Sequence, residues 1–253
     1  MPVQRLLDLV RKRPSAGGSI PDGRRVYAVG DIHGRLDLLD ALLAEIESDN
    51  ASRGPADTLV IFLGDLVDRG PDSRGVVERL IAYSKGPAPT RFLMGNHEEV
   101  FLRAVGGDLK ALKFLIRIGG RATILSYGID EAEYRSLDYD GLAAALRARV
   151  PSEHVAFLSA FEEWIEMGDY LFVHAGVRPG VDLAEQRGSD LRWIRDDFLL
   201  HRDSFGKLVV HGHSITKDVD LRSNRIGIDT GAYESGKLTA IALEGAERWF
   251  LST

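Results

Sequence analysis

Cysteine is missing from all 253 positions. Its absence excludes a disulfide framework, a thiolate metal site and a cysteine nucleophile. A surplus of positive charge is missing too: Lys and Arg number 32 against 38 Asp and Glu, a net charge of −6. A broadly basic surface for nucleic acid is therefore not expected. No apolar run approaches the ~18 residues that a bilayer span requires. The opening stretch MPVQRLLDLVRKRPSAGGSIPDG carries a basic cluster, Arg11-Lys12-Arg13, but lacks the apolar core of a secretion signal. It reads as a tail and Gly/Pro-rich linker over residues 1–23 of a cytoplasmic protein. What remains, 44% hydrophobic and 28% charged residues, is ordinary for one large α/β domain over residues 24–253.

Strand and helix signals alternate from Arg24 onward. Val26–Val29, Thr58–Leu63 and Arg91–Met94 read as strands. Leu36, Leu39, Leu43 and Ile46 recur at three- and four-residue steps, which gives a helix over Arg35–Ser48. Val76–Ala82 gives a second helix. This βαβαβ order predicts a largely parallel sheet with right-handed crossovers. Residues 98–166 change character and read as a mostly helical insertion. Asp169–His174, Lys207–Val210 and Arg225–Ile228 resume strand character. The ending KLTAIALEGAERWFL reads as a hairpin that turns at Gly245.

Each strand ends on polar side chains. The first gives AVGDIHGRLD, where Asp31 and His33 are two residues apart and point the same way if the chain is extended. The second gives GDLVDRG, with Asp65, Asp68 and Arg69. The third gives GNHE, with Asn96 and His97, and later strands give HAG (His174) and HGHS (His211, His213). Asp31 to Asp65 is 34 residues and Asp65 to Asn96 is 31, each the length of one βαβ unit at ~30. Parallel strands therefore deliver these groups to one sheet edge, where ligands bind in open α/β sheets. Two carboxylates, three or four imidazoles and one amide oxygen exceed the needs of one ion and suit two. Mixed oxygen and imidazole donors favour Mn, Fe or Zn over Ca or Mg. Asp65, on the middle strand, is the natural bridge between ions ~3.5–4 Å apart.

These blocks, in this order from Gly30 to about Ser214, resemble the metallophosphoesterases. Asp68-Arg69 resembles the phosphoprotein phosphatase branch in particular, as in bacterial and phage serine/threonine protein phosphatases. LRWIRDDF and IDTGAYESGKLTA are similar to its bacterial members. The resemblance implies a calcineurin-like fold, a two-layer β sandwich flanked by helices with a helical insertion. It implies two divalent ions, Mn first among the candidates and Fe or Zn behind it. One ion would take Asp31, His33 and Asp65, and the other Asp65, Asn96, His174 and His213. His97 would be the general acid, paired with Asp68. Arg69 and Arg195 would clamp phosphate oxygens, with Arg192 a close rival to Arg195. A metal-bridging hydroxide would attack directly, without a phosphoenzyme.

The expected substrate is phosphoserine or phosphothreonine of a protein, or a small phosphorylated molecule. The alternative is a diadenosine polyphosphate, the substrate of a neighbouring branch. Two features favour protein. An acid supported by Asp68 suits an alkoxide leaving group. The aromatics of residues 98–166, from Phe101 to Trp164, are spread out and suggest an open cleft without a base-stacking platform.

Other polar residues have plainer explanations. Asp37 and Asp40 suit a solvated helix face, and His154 and His201 suit the surface or small hydrogen-bond networks. His211 is a neighbour of a ligand rather than a ligand. Glu98 and Glu99 suit a helix N-terminus. GAYESGKL ends on Leu238, and alternating residues follow it where a phosphate-binding loop needs a hydroxyl and a helix. DVDLR (Asp218 to Arg222) lacks the preceding strand and the following residue of an aspartyl phosphatase.

Overall fold

The computed structural model describes residues 18–253. The expected N-terminal tail thus lies outside the described residues as far as residue 17. Its last part is docked: the Ile20 N–H donates to the Gly245 carbonyl at 2.9 Å, and the Ser19 N–H donates to Asp169 Oδ2 at 2.9 Å.

In chain order the elements begin with β1 (Arg24–Val29), α1 (Leu36–Ser52), β2 (Asp57–Phe62), α2 (Ser73–Tyr83) and β3 (Thr90–Phe92). Six short helices follow: α3 (Asn96–Val105), α4 (Leu109–Leu115), α5 (Arg121–Ser126), α6 (Glu131–Ser136), α7 (Tyr139–Arg149) and α8 (Ser152–Ser159). A π-helical turn, Ile116–Gly120, joins α4 to α5. Next come β4 (Trp164–Met167), β5 (Tyr170–Val173), α9 (Gly188–Trp193), α10 (Asp196–Leu199), β6 (Leu208–His211), β7 (Asp220–Leu221) and β8 (Arg225–Gly227). The chain closes with α11 (Ala232–Ser235), β9 (Thr239–Glu244) and β10 (Glu247–Ser252). The helical insertion therefore stops at Ser159, and its expected end is a strand instead. With only Ile165 buried in β4, that strand is too short to show a period.

The strands form two five-stranded sheets, ordered β10-β9-β1-β2-β3 and β4-β5-β6-β8-β7. β1, β2 and β3 are parallel, as are β5, β6 and β8, while the terminal hairpin joins the first sheet antiparallel. Alternation sorts the first strand between two cores. Val26 and Ala28 pack with Phe172, Val210 and Ile226 between the sheets. Tyr27 and Val29 pack with Leu39, Leu43 and Val77 beneath the helices. Burial on both faces is why β1 reads as an unbroken apolar run. On the outside of the second sheet, Leu191, Ile194 and Phe198 cover Leu171, Val173 and Val209. The fold is an α/β sandwich of two sheets flanked by helices, with the carboxyl ends of its parallel strands gathered at one cleft. Among the described residues no helix is long and apolar enough to cross a membrane.

Candidate metal centre

Five non-glycine residues among those described have positive φ: His33 (47°), Asp65 (52°), Asp68 (74°), Arg69 (69°) and His213 (61°). All five lie in the cleft. Left-handed backbone costs of order 1–3 kcal/mol per residue and persists only where the surroundings impose it. Glu98 imposes it at Asp65. Its buried carboxylate accepts from the N–H groups of Asp65 (2.8 Å), Leu66 (2.8 Å), Val67 (3.3 Å) and Gly95 (3.2 Å), so the strand-end loop wraps around one acid. Gly95 permits this closeness, since a Cβ there would lie 2.3 Å from Asp65 Oδ1.

The ligating atoms of His33, Asp65 and His97 lie within 4.8 Å of one another, and so do those of Asp65, His174 and His213. Asp65 belongs to both groups. The Nδ1–H of His33 donates to the Val67 carbonyl and that of His174 to the Leu63 carbonyl, both at 2.8 Å. Each ring therefore turns the Nε2 lone pair into the cleft. His174 Nε2 then faces two further acceptors, Asn96 Oδ1 at 3.0 Å and Asp65 Oδ1 at 3.4 Å. His213 Nε2 is buried with no hydrogen-bond partner. Acceptors aimed at one another, beside an orphaned imidazole nitrogen, fit cations. Nitrogen and oxygen donors without sulfur suit a borderline divalent ion.

Asp31 arrives by a different route from the one its spacing predicts. The chain has left the extended region at His33, so the two side chains do not simply alternate. The Asp31 carboxylate accepts the His213 N–H at 3.0 and 3.2 Å, tying the first sheet's loop to the second's. Burial, then Asp229 and Asp65, push its carboxyl well above the ordinary range. Burial also lifts Asp229 to about 6 and lowers His33 to about 3. Asp65 goes the other way: burial raises it, but His174, His97 and His33 outweigh that and hold it well below the usual carboxylate value. Buried carboxylates crowded together are stabilised by added positive charge.

His97 is held from both ends. Its Nδ1 meets Asp68 Oδ2 at 2.6 Å, and its Nε2 lies 3.2 Å from Arg69 Nη2. Burial works against its charge, yet Asp65 and Asp68 together raise its pKa above the ordinary histidine value. Asp68 is itself gripped by the insertion. The Thr123 hydroxyl donates to its Oδ1 at 2.6 Å, while the Asp68 N–H donates to Thr123 Oγ1 (2.9 Å) and Ser73 Oγ (3.0 Å). The Arg69 N–H donates to the Gly119 carbonyl at 3.0 Å. Gly119 has φ 112°, and a Cβ there would lie 2.7 Å from Arg69 Cγ.

The two rival arginines separate cleanly. Arg192 is committed to Glu99 (2.9 Å) and Glu163 (2.6 Å). Arg195 is exposed at the start of α10; burial and then His174 push His213 down to about 2, and the Arg195 charge adds to that. Of the plainer residues, Asp37 and Asp40 are exposed and paired with Arg35 and Arg79. His154 is buried against the Tyr127 hydroxyl at 3.0 Å, in a network rather than on the surface. His211 is buried, with its Nδ1 3.0 Å from the Gly212 carbonyl.

Three residues at the cleft escaped the sequence reading, Thr123, Asp229 and Tyr233, and Glu98 was read there as a helix N-terminus. Glu98 had a signal, since it lies three residues after the helix N-cap, where a capping-box acid sits. Asp229 had one too, for it follows an apolar strand as Asp31 does. Thr123 and Tyr233 had none, because long-range packing alone brings them in.

The strand-edge cleft and its imidazole–carboxylate set define a metal-dependent phosphoesterase, and the comparisons agree. The family model described as calcineurin-like phosphoesterase matches residues 24–237, and the chain belongs to that family. It is 24% identical to an asymmetrical bis(5'-nucleosyl)-tetraphosphatase of Anoxybacillus flavithermus, over 84% of this chain and 88% of that one. It is 28% identical to a symmetrical bis(5'-nucleosyl)-tetraphosphatase of Neisseria gonorrhoeae, over 87% of this chain and 93% of that one. A solved structure of a candidate diadenosine tetraphosphatase shares the fold with a TM-score of 0.63 at 22% identity, covering 94% of this chain and 95% of its own.

Proposed function

We propose that this chain hydrolyses dinucleoside polyphosphates of the bis(5'-nucleosyl)-tetraphosphate type. The observation that carries the reading is the shared name of two relatives matched over 84% and 87% of the chain. The expectation of a phosphoprotein substrate has less behind it, because its argument from aromatics considered only residues 98–166. There Phe101 stacks on Tyr127, and Phe157 and Phe161 pack on Phe92, all in the hydrophobic core beneath the helices. The aromatic rings at the cleft come from later in the chain. Tyr233 lies 5.5 Å from the His33 ring and Trp193 lies 6.5 Å from the His213 ring.

In this reading Asp31, His33 and Asp65 hold one divalent ion, and Asp65, Asn96, His174 and His213 hold a second. Bound there, such ions neutralise phosphate charge and lower the pKa of water. Arg69 and Arg195 supply guanidinium forks to phosphate oxygens. Glu98 fixes the backbone that aims Asp65. His97, oriented by Asp68, delivers a proton to the leaving oxygen. That supported acid is the one observation favouring a phosphoprotein, whose alkoxide leaves poorly.

The test is kcat/KM for diadenosine tetraphosphate against a phosphothreonine peptide under one set of metal conditions. The dinucleotide is expected to win by ~10-fold or more, about 1.4 kcal/mol. A preference of that size for the peptide would overturn the reading.

A further inference from the structure

Beside the metal ligands lies a cavity of about 720 Å³ that shares Arg69 with them. Arg35, Asp37, Asp40, Asp72 and Tyr233 also line it. It is an open groove rather than an enclosed pocket, and would cover one face of a small organic ligand. We propose that this cavity is a nucleoside subsite, in which a base of the substrate stacks on Tyr233. The inference rests on the dinucleotide reading and adds to it the place where one nucleoside binds.

Arg69 sets the direction. It reaches the Nε2 atoms of both His33 (3.0 Å) and His97 (3.2 Å). On its other side its guanidinium carbon lies 4.8 Å from the Tyr233 ring centre. The proton donor, the phosphate-binding fork and the aromatic ring thus follow one another out of the cleft. A leaving group protonated by His97 departs past Arg69 toward Tyr233. A planar base fits what it meets there, since stacking on an aromatic side chain is tolerant of base identity.

The charges already present fit a neutral base better than another phosphate. The Arg35 guanidinium is paired with Asp37 at 2.7 and 2.8 Å, and it also donates to the Ala232 carbonyl at 2.9 Å. That last bond braces the residue next to Tyr233. Asp40 is paired with Arg79 at 2.7 Å. Asp72 caps α2 by accepting the Gly75 N–H at 2.8 Å. Arg69 is left as the cation facing the metal ligands, and the remaining lining offers carboxylate oxygens to an exocyclic amine. Trp193 is less suited as a platform, because its Nε1–H is held by Glu99 at 3.0 Å and its ring packs on Phe114.

The experiment uses the full chain loaded with Mn. It measures kcat and KM for diadenosine tetraphosphate and for nitrophenyl phosphate in the wild type, Tyr233→Ala and Tyr233→Phe. Tyr233→Ala is expected to raise KM for the dinucleotide about tenfold, the scale of base stacking on an aromatic ring. Its loss on nitrophenyl phosphate should be several-fold smaller. Tyr233→Phe should restore most of the dinucleotide loss, because a ring rather than a hydroxyl is required. Equal losses on the two substrates, or no restoration by Phe, would reduce Tyr233 to a support for His33 and Arg69; the subsite would fall while the hydrolase reading stood. A wild type that cleaves nitrophenyl phosphate but not the dinucleotide would overturn both.

Discussion

His97 and His213 both reach toward Asp65, and the protein treats them oppositely. His97 has Asp68 on one nitrogen and Arg69 on the other. His213 offers a buried Nε2 with no partner. Their surroundings repeat the contrast. On the first side a threonine, a serine and a glycine carbonyl lock the Asp68-Arg69 loop. On the second, Asp229 keeps an unpartnered Oδ2 and Arg195 stands exposed. In the proposed reading, an imidazole gripped by a carboxylate on one nitrogen and a guanidinium on the other is oriented to move a proton. An imidazole left with a bare lone pair among carboxylates is oriented to bind a cation. In that reading the difference separates the acid from one of the ligands around a shared carboxylate.

Asp65→Asn attacks the group common to both sides and should have the largest effect. A metal contribution of several kcal/mol corresponds to a loss of about 10³-fold or more in kcat/KM, with bound metal lost in parallel by elemental analysis. His97→Asn comes next and should spare the metal. It is expected to cost ~10²–10⁴-fold on an alkyl phosphate, the usual range for acid catalysis, and much less on nitrophenyl phosphate, whose leaving oxygen needs no proton. Retained metal with equal losses on both substrates would take the acid role from His97, and loss of metal would place it among the ligands.

Thr123→Val sharpens the comparison, since it touches only the locked side. It loosens the support of the acid without removing it, so its effect should be about 10–100-fold, at or below the lower end of the range for acid catalysis. A loss in that range is expected on the alkyl phosphate, a smaller one on nitrophenyl phosphate, and recovery in Thr123→Ser. The smallest effect concerns the two arginines. Arg192→Ala removes a partly exposed pair worth about 1 kcal/mol, which lowers Tm by roughly 2–4 °C in a chain of this size and leaves KM nearly unchanged. Arg195→Ala should do the reverse, raising KM with little change in Tm.

Much of this was legible in the sequence because it is local. A strand end, a glycine and a polar residue recur in AVGDIHG, FLGDLVDRG and LMGNHE, and the βαβ spacing carries them to one edge. The residues that hold the ligands in place were not legible. Thr123 reaches Asp68 across 55 positions, and His213 reaches Asp31 across 182. No period or motif encodes such contacts. The i, i+2 argument for Asp31 and His33 put both in the cleft for the wrong local reason, because the backbone there is left-handed rather than extended. Counting aromatics within one segment left out Tyr233, which reaches the His33 ring from the short helix between β8 and β9.

Equilibrium dialysis of Mn against the metal-stripped protein tests the central claim most directly, that one cleft holds two ions around Asp65. The account predicts near two ions per chain in the wild type, near one in His213→Asn, and two in His97→Asn. A wild type that saturates at one ion, or a His97→Asn variant that loses an ion while His213→Asn keeps both, would contradict it.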